Sequence, residues 1–214
     1  MIRDRINITI KGVTPLIICN PRLANVLDPG VNLLKSLTGA RKKTEKDTKE
    51  ILKLQWELGL YWTDEMGLYI PSEMLSASFH KAATIHKLGK KTIGVVFNHP
   101  LGYELITDDH KNLNKLKEND NNKFVRLVKI GKNMVLSSRP IFNKWQIKFD
   151  LEIDPGVIDE REIMTILLTM CDKTGLGVWR PSSPKPGHYG KFIIESLVHI
   201  DGESGKTKIL VGEK

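Results

Sequence analysis

With 214 residues and 40% hydrophobic content, the chain has apolar material for one large domain or two small ones. Lys and Arg number 33 against 25 Asp and Glu, a net charge of +8 that favours nucleic acid or another polyanion as partner. Two distant cysteines, Cys19 and Cys171, exclude a disulfide framework or a zinc site. The start MIRDRINITI has no signal-type apolar core and no apolar run reaches a membrane span, so a soluble cytoplasmic protein is expected.

Arg5 to Ile10 alternates with Ile6, Ile8 and Ile10 on one face, the pattern of a half-buried strand. Val13 to Cys19 continues extended through Pro15 and ends in the turn-like Asn20-Pro21. Residues 20–68 read as an insertion. Its basic run contains Arg41, Lys42, Lys43 and Lys46, at the start of a helix that Thr44 and Asp47 would open with a capping box. Ile51, Leu54 and Leu58 form that helix's apolar stripe, with Trp56 beside it. The basic run is either a solvated helix face or a flexible arm that grips phosphates.

Gly67 to Ile70 reads as a short strand, and Pro71-Ser72 start a helix to about Lys87 that buries Leu75, Phe79, Ala82 and Ala83. His80 and His86 lie on it six apart, which is not metal-pair spacing, so they read as structural or solvated. Lys91 to Phe97 is expected as a strand, and the polar stretch 98–123 as a mobile insertion. Phe124 to Ile130 and Val135 to Phe142 read as a hairpin about Gly131-Lys132-Asn133, with Arg139-Pro140 marking the end of pairing or an edge. Trp145 to Ile153 alternates cleanly. Asp159 and Glu162 then cap a helix striped by Ile163, Ile166, Leu167, Met170 and Cys171, which Gly175 terminates. Lys191 to Ile200, apolar on both faces, suits a central strand, and Thr207 to Val211 a final short one.

Between that helix and that strand lies GLGVWRPSSPKPGHYGKF, Gly175 to Phe192. Gly175 and Gly177 permit φ > 0 and close approach by a partner, while Pro181, Pro184 and Pro186 stiffen the excursion. Trp179, Arg180, Lys185, His188, Tyr189 and Lys191 alternate cations with rings. That mixture suits a ligand carrying phosphates and bases. A plain connecting turn whose Trp179 and Tyr189 tuck into the core is the competing reading.

Without the insertions, the order is strand, helix, two or three strands, helix, strand. This is the α+β, ferredoxin-like (RRM-like) βαββαβ core, an antiparallel sheet with two helices on one face, in a single domain over 1–214 with insertions at 20–68 and 98–123. GLYIPSEMLSASFHKAA (Gly67 to Ala83) resembles the strand-to-helix junction of CRISPR-associated RAMP-superfamily proteins, and GLGVWRP…GHYGKF their C-terminal glycine-rich signature. The chain also resembles a group of small phage and prophage proteins along nearly its whole length. The matches are Arg41 to Thr44, Gly59 to Tyr61, Ile70-Pro71, Arg139-Pro140, Phe142, Trp145, Gly175 to Pro181 and Gly190 to Phe192. It departs from that pattern at Val178, where Asp is usual, and in the longer SSPKPGHY segment.

The resemblance implies a protein that binds RNA or single-stranded DNA, with subunits side by side along the strand, in the host cytoplasm if the chain is phage-encoded. The residues expected to touch nucleic acid are Arg41, Lys42, Lys43, Lys46, Arg139, Gly175, Gly177, Trp179, Arg180, Lys185, His188, Tyr189 and Lys191. About five phosphates held on a single strand would give a log–log salt slope of about −3.5. No cofactor, metal or catalytic residue is assigned. The chain has no GxxxxGK[ST], GxSxG, HExxH or paired CxxC motif, and its acidic pairs (Asp64-Glu65, Asp108-Asp109, Asp159-Glu160) lack a magnesium-holding pattern. Two alternatives stay open. One is sequestration of a small anionic nucleotide by the same loop. The other is a metal-independent RNA-processing endonuclease using His80, His86 or His188 with Lys81 or Arg180.

Overall fold

The computed structural model describes residues 2–212, and in it the opening alternation forms β1 (Asp4–Gly12), with Ile6, Ile8 and Ile10 buried. After Val13–Pro15 the chain makes the short β2 (Leu16–Ile17), which belongs to a different sheet. Two helices follow. The carboxylate of Asp28 takes the N–H groups of Gly30 and Val31 to open α1 (Pro29–Gly39), and the Thr44–Asp47 capping box opens α2 (Glu45–Gly59). α2 buries Ile51, Leu54, Trp56 and Leu58, and the Trp56 indole donates to the Asn122 carbonyl at 2.7 Å, so tertiary packing as well as capping holds this helix.

β3 (Trp62–Thr63) and β4 (Gly67–Pro71) pair and lead directly into α3 (Ser72–Ile85). Beyond it lie β5 (Val95–Phe97), β6 (Gly102–Ile106) and α4 (Leu113–Glu118). A long hairpin, β7 (Lys123–Ile130) and β8 (Asn133–Phe142), precedes β9 (Gln146–Ile153). The Asp159–Glu162 capping box starts α5 (Glu160–Thr169), which runs through a π-turn to Gly175, and β10 (Phe192–Ile200) and β11 (Thr207–Val211) complete the chain.

All the strand pairs are antiparallel. The larger sheet runs β11-β10-β1-β9-β6-β4-β3, with β5 paired to the far end of β9. The smaller one runs β2-β8-β7. β1 lies between β10 and β9, with Ile8 opposite Leu197 and Phe149. The inward residues of these strands pack with Leu75, Phe79, Ala82 and Ala83 of α3 and with Ile163, Ile166 and Leu167 of α5. Each buried Ile, Leu or Phe side chain among them contributes about 1.5–3 kcal/mol. On the opposite face β1 and β9 are polar, while β10 adds Ile193, Val198 and Ile200. Arg5 pairs with Glu152 at 3.5 Å and Lys11 with Glu195 at 3.6 Å, and β1, β9 and β10 place no aromatic ring on that side.

Four expectations need correction. Arg139-Pro140 marks neither an edge nor the end of pairing: β8 is the middle strand of its sheet, with Lys123 opposite Pro140, and Pro140 still accepts from the Ile18 N–H at 3.1 Å. The strand expected over Lys91–Phe97 is a 3₁₀ turn over Gly89–Gly94 and only then β5; the Asp154 backbone N–H donates to the Gly94 carbonyl at 2.8 Å and ties the turn to the β9 end. Residues 98–123 are folded, not a loose loop: β6 pairs with both β4 and β9, and Leu116 of α4 is fully buried. Isolated apolar residues among many polar ones are enough to anchor a segment when sheet edges are available to pair with it. Of the two readings of the basic run in 20–68, the flexible arm gives way to the solvated helix face: the segment is a packed helix pair, with Arg41, Lys42 and Lys43 exposed in the turn and Lys35, Lys46, Lys49 and Lys53 exposed on the helices.

Candidate nucleic-acid interface

The glycine-rich loop is held mainly by its own backbone. Gly175 (φ +62) donates to Met170 O at 2.9 Å, Leu176 to Gly190 O at 3.0 Å, Val178 to Ile17 O at 2.8 Å and Gly190 to Pro15 O at 2.9 Å. The close approaches that demand glycine are therefore to the chain itself. A Cβ on Gly177 would lie 2.2 Å from Ile17 O, and one on Gly190 1.9 Å from Leu176 O. From α3, the buried Ser78 hydroxyl donates to Gly175 O at 2.8 Å and meets Thr174 Oγ1 at 2.9 Å, fixing the loop's entry. These amides are spent within the fold and leave no cradle of free N–H groups at Gly175 and Gly190.

The loop delivers Trp179 and Tyr189 onto one face of the β7–β8 hairpin. Register places Phe124 opposite Arg139 and Arg126 opposite Ser137, so Phe124, Arg126 and Arg139 share that face. The Trp179 ring lies 5.5 Å from Phe124 and 6.5 Å from Tyr189, and Phe124 meets Tyr189 edge-on at 5.7 Å. The guanidinium carbons of Arg139 and Arg126 sit over the indole at 4.6 and 5.3 Å. Trp179 has φ +52, a backbone region that costs a bulky residue energy and is met where surroundings enforce a special placement. Beside it opens a cleft of about 310 Å³ whose walls carry Arg126, Lys129, Lys185 and Tyr189 and no carboxylate.

A guanidinium that lies over a ring and has no carboxylate partner keeps N–H donors available to phosphate oxygens. Among the described residues neither Arg126 nor Arg139 is paired with a carboxylate. The cluster is thus a cationic surface backed by rings. Trp179 itself is half-buried, with two arginines over its ring.

The other expected residues divide. Lys185 is exposed in the cleft, and His188 is exposed without a hydrogen-bond partner among the described residues. Arg180 turns inward: its Nη1 donates to Gly177 O at 2.7 Å and its Nε to Ser182 Oγ at 3.2 Å, and burial lowers its pKa. Lys191 is paired with Asp172 at 2.6 Å, an interaction that holds the Asp172 carboxyl below its usual range. Arg41, Lys42, Lys43 and Lys46 are exposed around the turn before α2. Lys43 lines a groove with Leu52, Val135 and Leu136 on the α2 side of the hairpin, away from Trp179. His80 contacts Thr92, and His86 joins α3 to α5 through Thr169 at 2.6 Å.

Phe124, Arg126 and Lys129 are the members that sequence reading missed. For Phe124 and Arg126 the signal is the alternation in FVRLVK, which puts them on one strand face, combined with pairing counted back from the turn at Gly131; Lys129 is of opposite parity and that pattern does not find it. Among the described residues no cluster of three or more His, Cys, Asp or Glu is arranged to hold a metal ion, and no helix is long and apolar enough to cross a membrane. No protein-family model matches the chain, and no curated protein matches it.

Proposed function

We propose that the protein binds single-stranded nucleic acid, RNA or DNA, without performing chemistry on it, and that copies assemble along the strand in the cytoplasm. The observation that carries this reading is the pair Arg126 and Arg139 over Trp179, beside a cleft with Lys129 and Lys185 and without a carboxylate. The arginines and lysines would hold phosphates, and Tyr189 would give a base an apolar wall worth about 1–3 kcal/mol. Arg41, Lys42, Lys43 and Lys46 would act in this scheme as a second basic strip, reached by a longer strand or by the strand's passage onto a neighbouring copy. The sheet's open face, lacking rings, has no part in it.

The same reading assigns the core to the ferredoxin-like plan and, by its resemblance, to the RAMP-like proteins. What supports the plan is the run β1, α3, β5, β9, α5, β10 with spatial order β10-β1-β9-β5 and both helices on one face. Fluorescence-polarisation titration with single-stranded RNA and DNA of increasing length, across a salt series, tests the function. Four phosphates neutralised by Arg126, Lys129, Arg139 and Lys185 give an expected log–log slope of about −2.8, with affinity rising with length. Absence of binding at low salt overturns the proposal. Affinity indifferent to length favours capture of a small nucleotide, for which the 310 Å³ cleft has sufficient volume.

A further inference from the structure

A second and larger cleft, about 630 Å³, lies between α3 and the segment around β5. Its chemistry is the reverse of the cationic one. No Lys or Arg lines it, and its one charged group is Glu73, which makes no salt bridge or side-chain hydrogen bond among the described residues. Phe97, half-buried and edge-on to Phe79 at 6.0 Å, supplies an apolar wall. The cleft is therefore unsuited to a phosphate and suited to a flat neutral group that donates to a carboxylate.

Its two histidines are held in opposite hydrogen-bonding states. His99 is fixed at three points. Its N–H donates to Tyr103 Oη at 3.3 Å, its carbonyl accepts from Ser72 Oγ at 2.5 Å, and its ring Nδ1 accepts from the Gly102 N–H at 3.1 Å. A backbone N–H only donates, so Nδ1 carries no proton and Nε2 carries it as a donor. His80 is the converse. Thr92 spends its one hydroxyl proton on Gly89 O at 2.7 Å, so it accepts from His80 Nδ1–H at 3.0 Å, and the neutral ring keeps an acceptor at Nε2. One cleft thus offers a fixed donor, a free carboxylate and an imidazole acceptor.

We infer that the α3–β5 cleft is a base-recognition site for guanine, with Glu73 accepting from the N1–H and N2 amino groups and His99 Nε2–H donating to O6. Of the four bases only guanine presents two adjacent donors beside an acceptor on its pairing edge, the arrangement that a carboxylate plus one N–H donor complements. Phe97 supplies the apolar surface against which a base lies, and His80 Nε2 is an acceptor for a ribose hydroxyl. The inference rests on the nucleic-acid reading above and adds a base preference to it.

The test uses nucleosides, which carry no phosphate and so do not report on the cationic cluster. Guanosine titrated into the full chain is expected to bind saturably and to shift the ring NMR signals of His80 and His99. Adenosine, cytidine and uridine are expected to bind at least tenfold more weakly. Glu73 is exposed, so Glu73→Gln keeps the fold, and it should weaken guanosine at least tenfold while leaving oligouridylate binding unchanged. No saturation by guanosine, equal binding of the four nucleosides, or an unchanged affinity in Glu73→Gln overturns the inference. If guanosine fails while oligouridylate still binds, only the pocket assignment falls. If oligouridylate fails while guanosine binds, only the strand reading falls.

Discussion

Arg126 and Arg139 are held by the same indole yet differ in their surroundings, Arg126 being exposed and Arg139 half-buried. Arg126→Ala should therefore weaken strand binding with little loss of stability and flatten the salt slope by about 0.7, one phosphate's share on a single strand. Arg126→Lys keeps the charge but loses the guanidinium over the indole and its fork of donors, and should recover the slope without the full affinity. Trp179→Ala should weaken binding as well, through two arginines left without a platform, each cation–π contact being worth about 0.5–1 kcal/mol at such a site. Polarisation titrations of the three variants, with circular dichroism as a fold control, check this. Arg139 and Trp179 are legible in the sequence as parts of RP and GLGVWRP. Arg126 is not, because its partnership with Trp179 depends on hairpin register across some fifty residues of intervening chain.

At the scale of elements, the loop after α5 is a rigid support whose glycines answer to neighbouring backbone. Gly190→Ala would place a Cβ 1.9 Å from Leu176 O at φ +69, and should cost at least about 2 kcal/mol in chemical denaturation. Ser78→Ala removes the hydroxyl that anchors Gly175 O and should cost about 1–3 kcal/mol, with nucleic-acid affinity falling as the loop loosens. The α5 start is tied to two other elements: His199 lies 2.9 Å from Glu160 and 2.8 Å from Asp4, and Lys208 lies 2.7 Å from Glu160. Burial pushes the Glu160 pKa up, but hydrogen bonds from Lys208 and His199 outweigh it and the net shift is downward. A carboxyl depressed in the folded state adds stability above its unfolded pKa, near 4.5, and that stability is lost as pH falls through the lower folded value. Stability measured against pH should thus decline on the acid side, and Glu160→Gln should flatten that decline.

For the whole molecule, the two sheets share one chain but have different tasks. The larger carries the core and an ion-paired outer face, and the smaller carries the cationic cluster on one side and α2 on the other. Both cysteines are half-buried thiols, with Cys171 pushed by burial up to about 11 and Cys19 also raised, against the effect of Arg139. Neutral thiols are poor nucleophiles, so the folded protein should react slowly with a thiol reagent near pH 8 and quickly after unfolding in denaturant. Equal rates in both states would contradict the burial.

By itself the sequence determined the elements whose signals are local. These are the isoleucine alternation of β1, the capping boxes of α2 and α5, the hairpin about Gly131 and the glycine stop after α5, because period and capping depend on residues a few positions apart. It also marked the Gly175–Phe192 loop as the place where rings and cations gather. Only the tertiary structure decided which of those cations face outward. Arg180 and Lys191 are consumed by Gly177 O and Asp172, whereas Arg126 and Lys129, on a strand far away in the chain, line the cleft. It also decided that 98–123 is folded, since β6 is held by strands β4 and β9, whose pairing partners no local pattern names. Register and burial are properties of long-range contacts, and a side chain's availability is settled by what the rest of the fold has already bound.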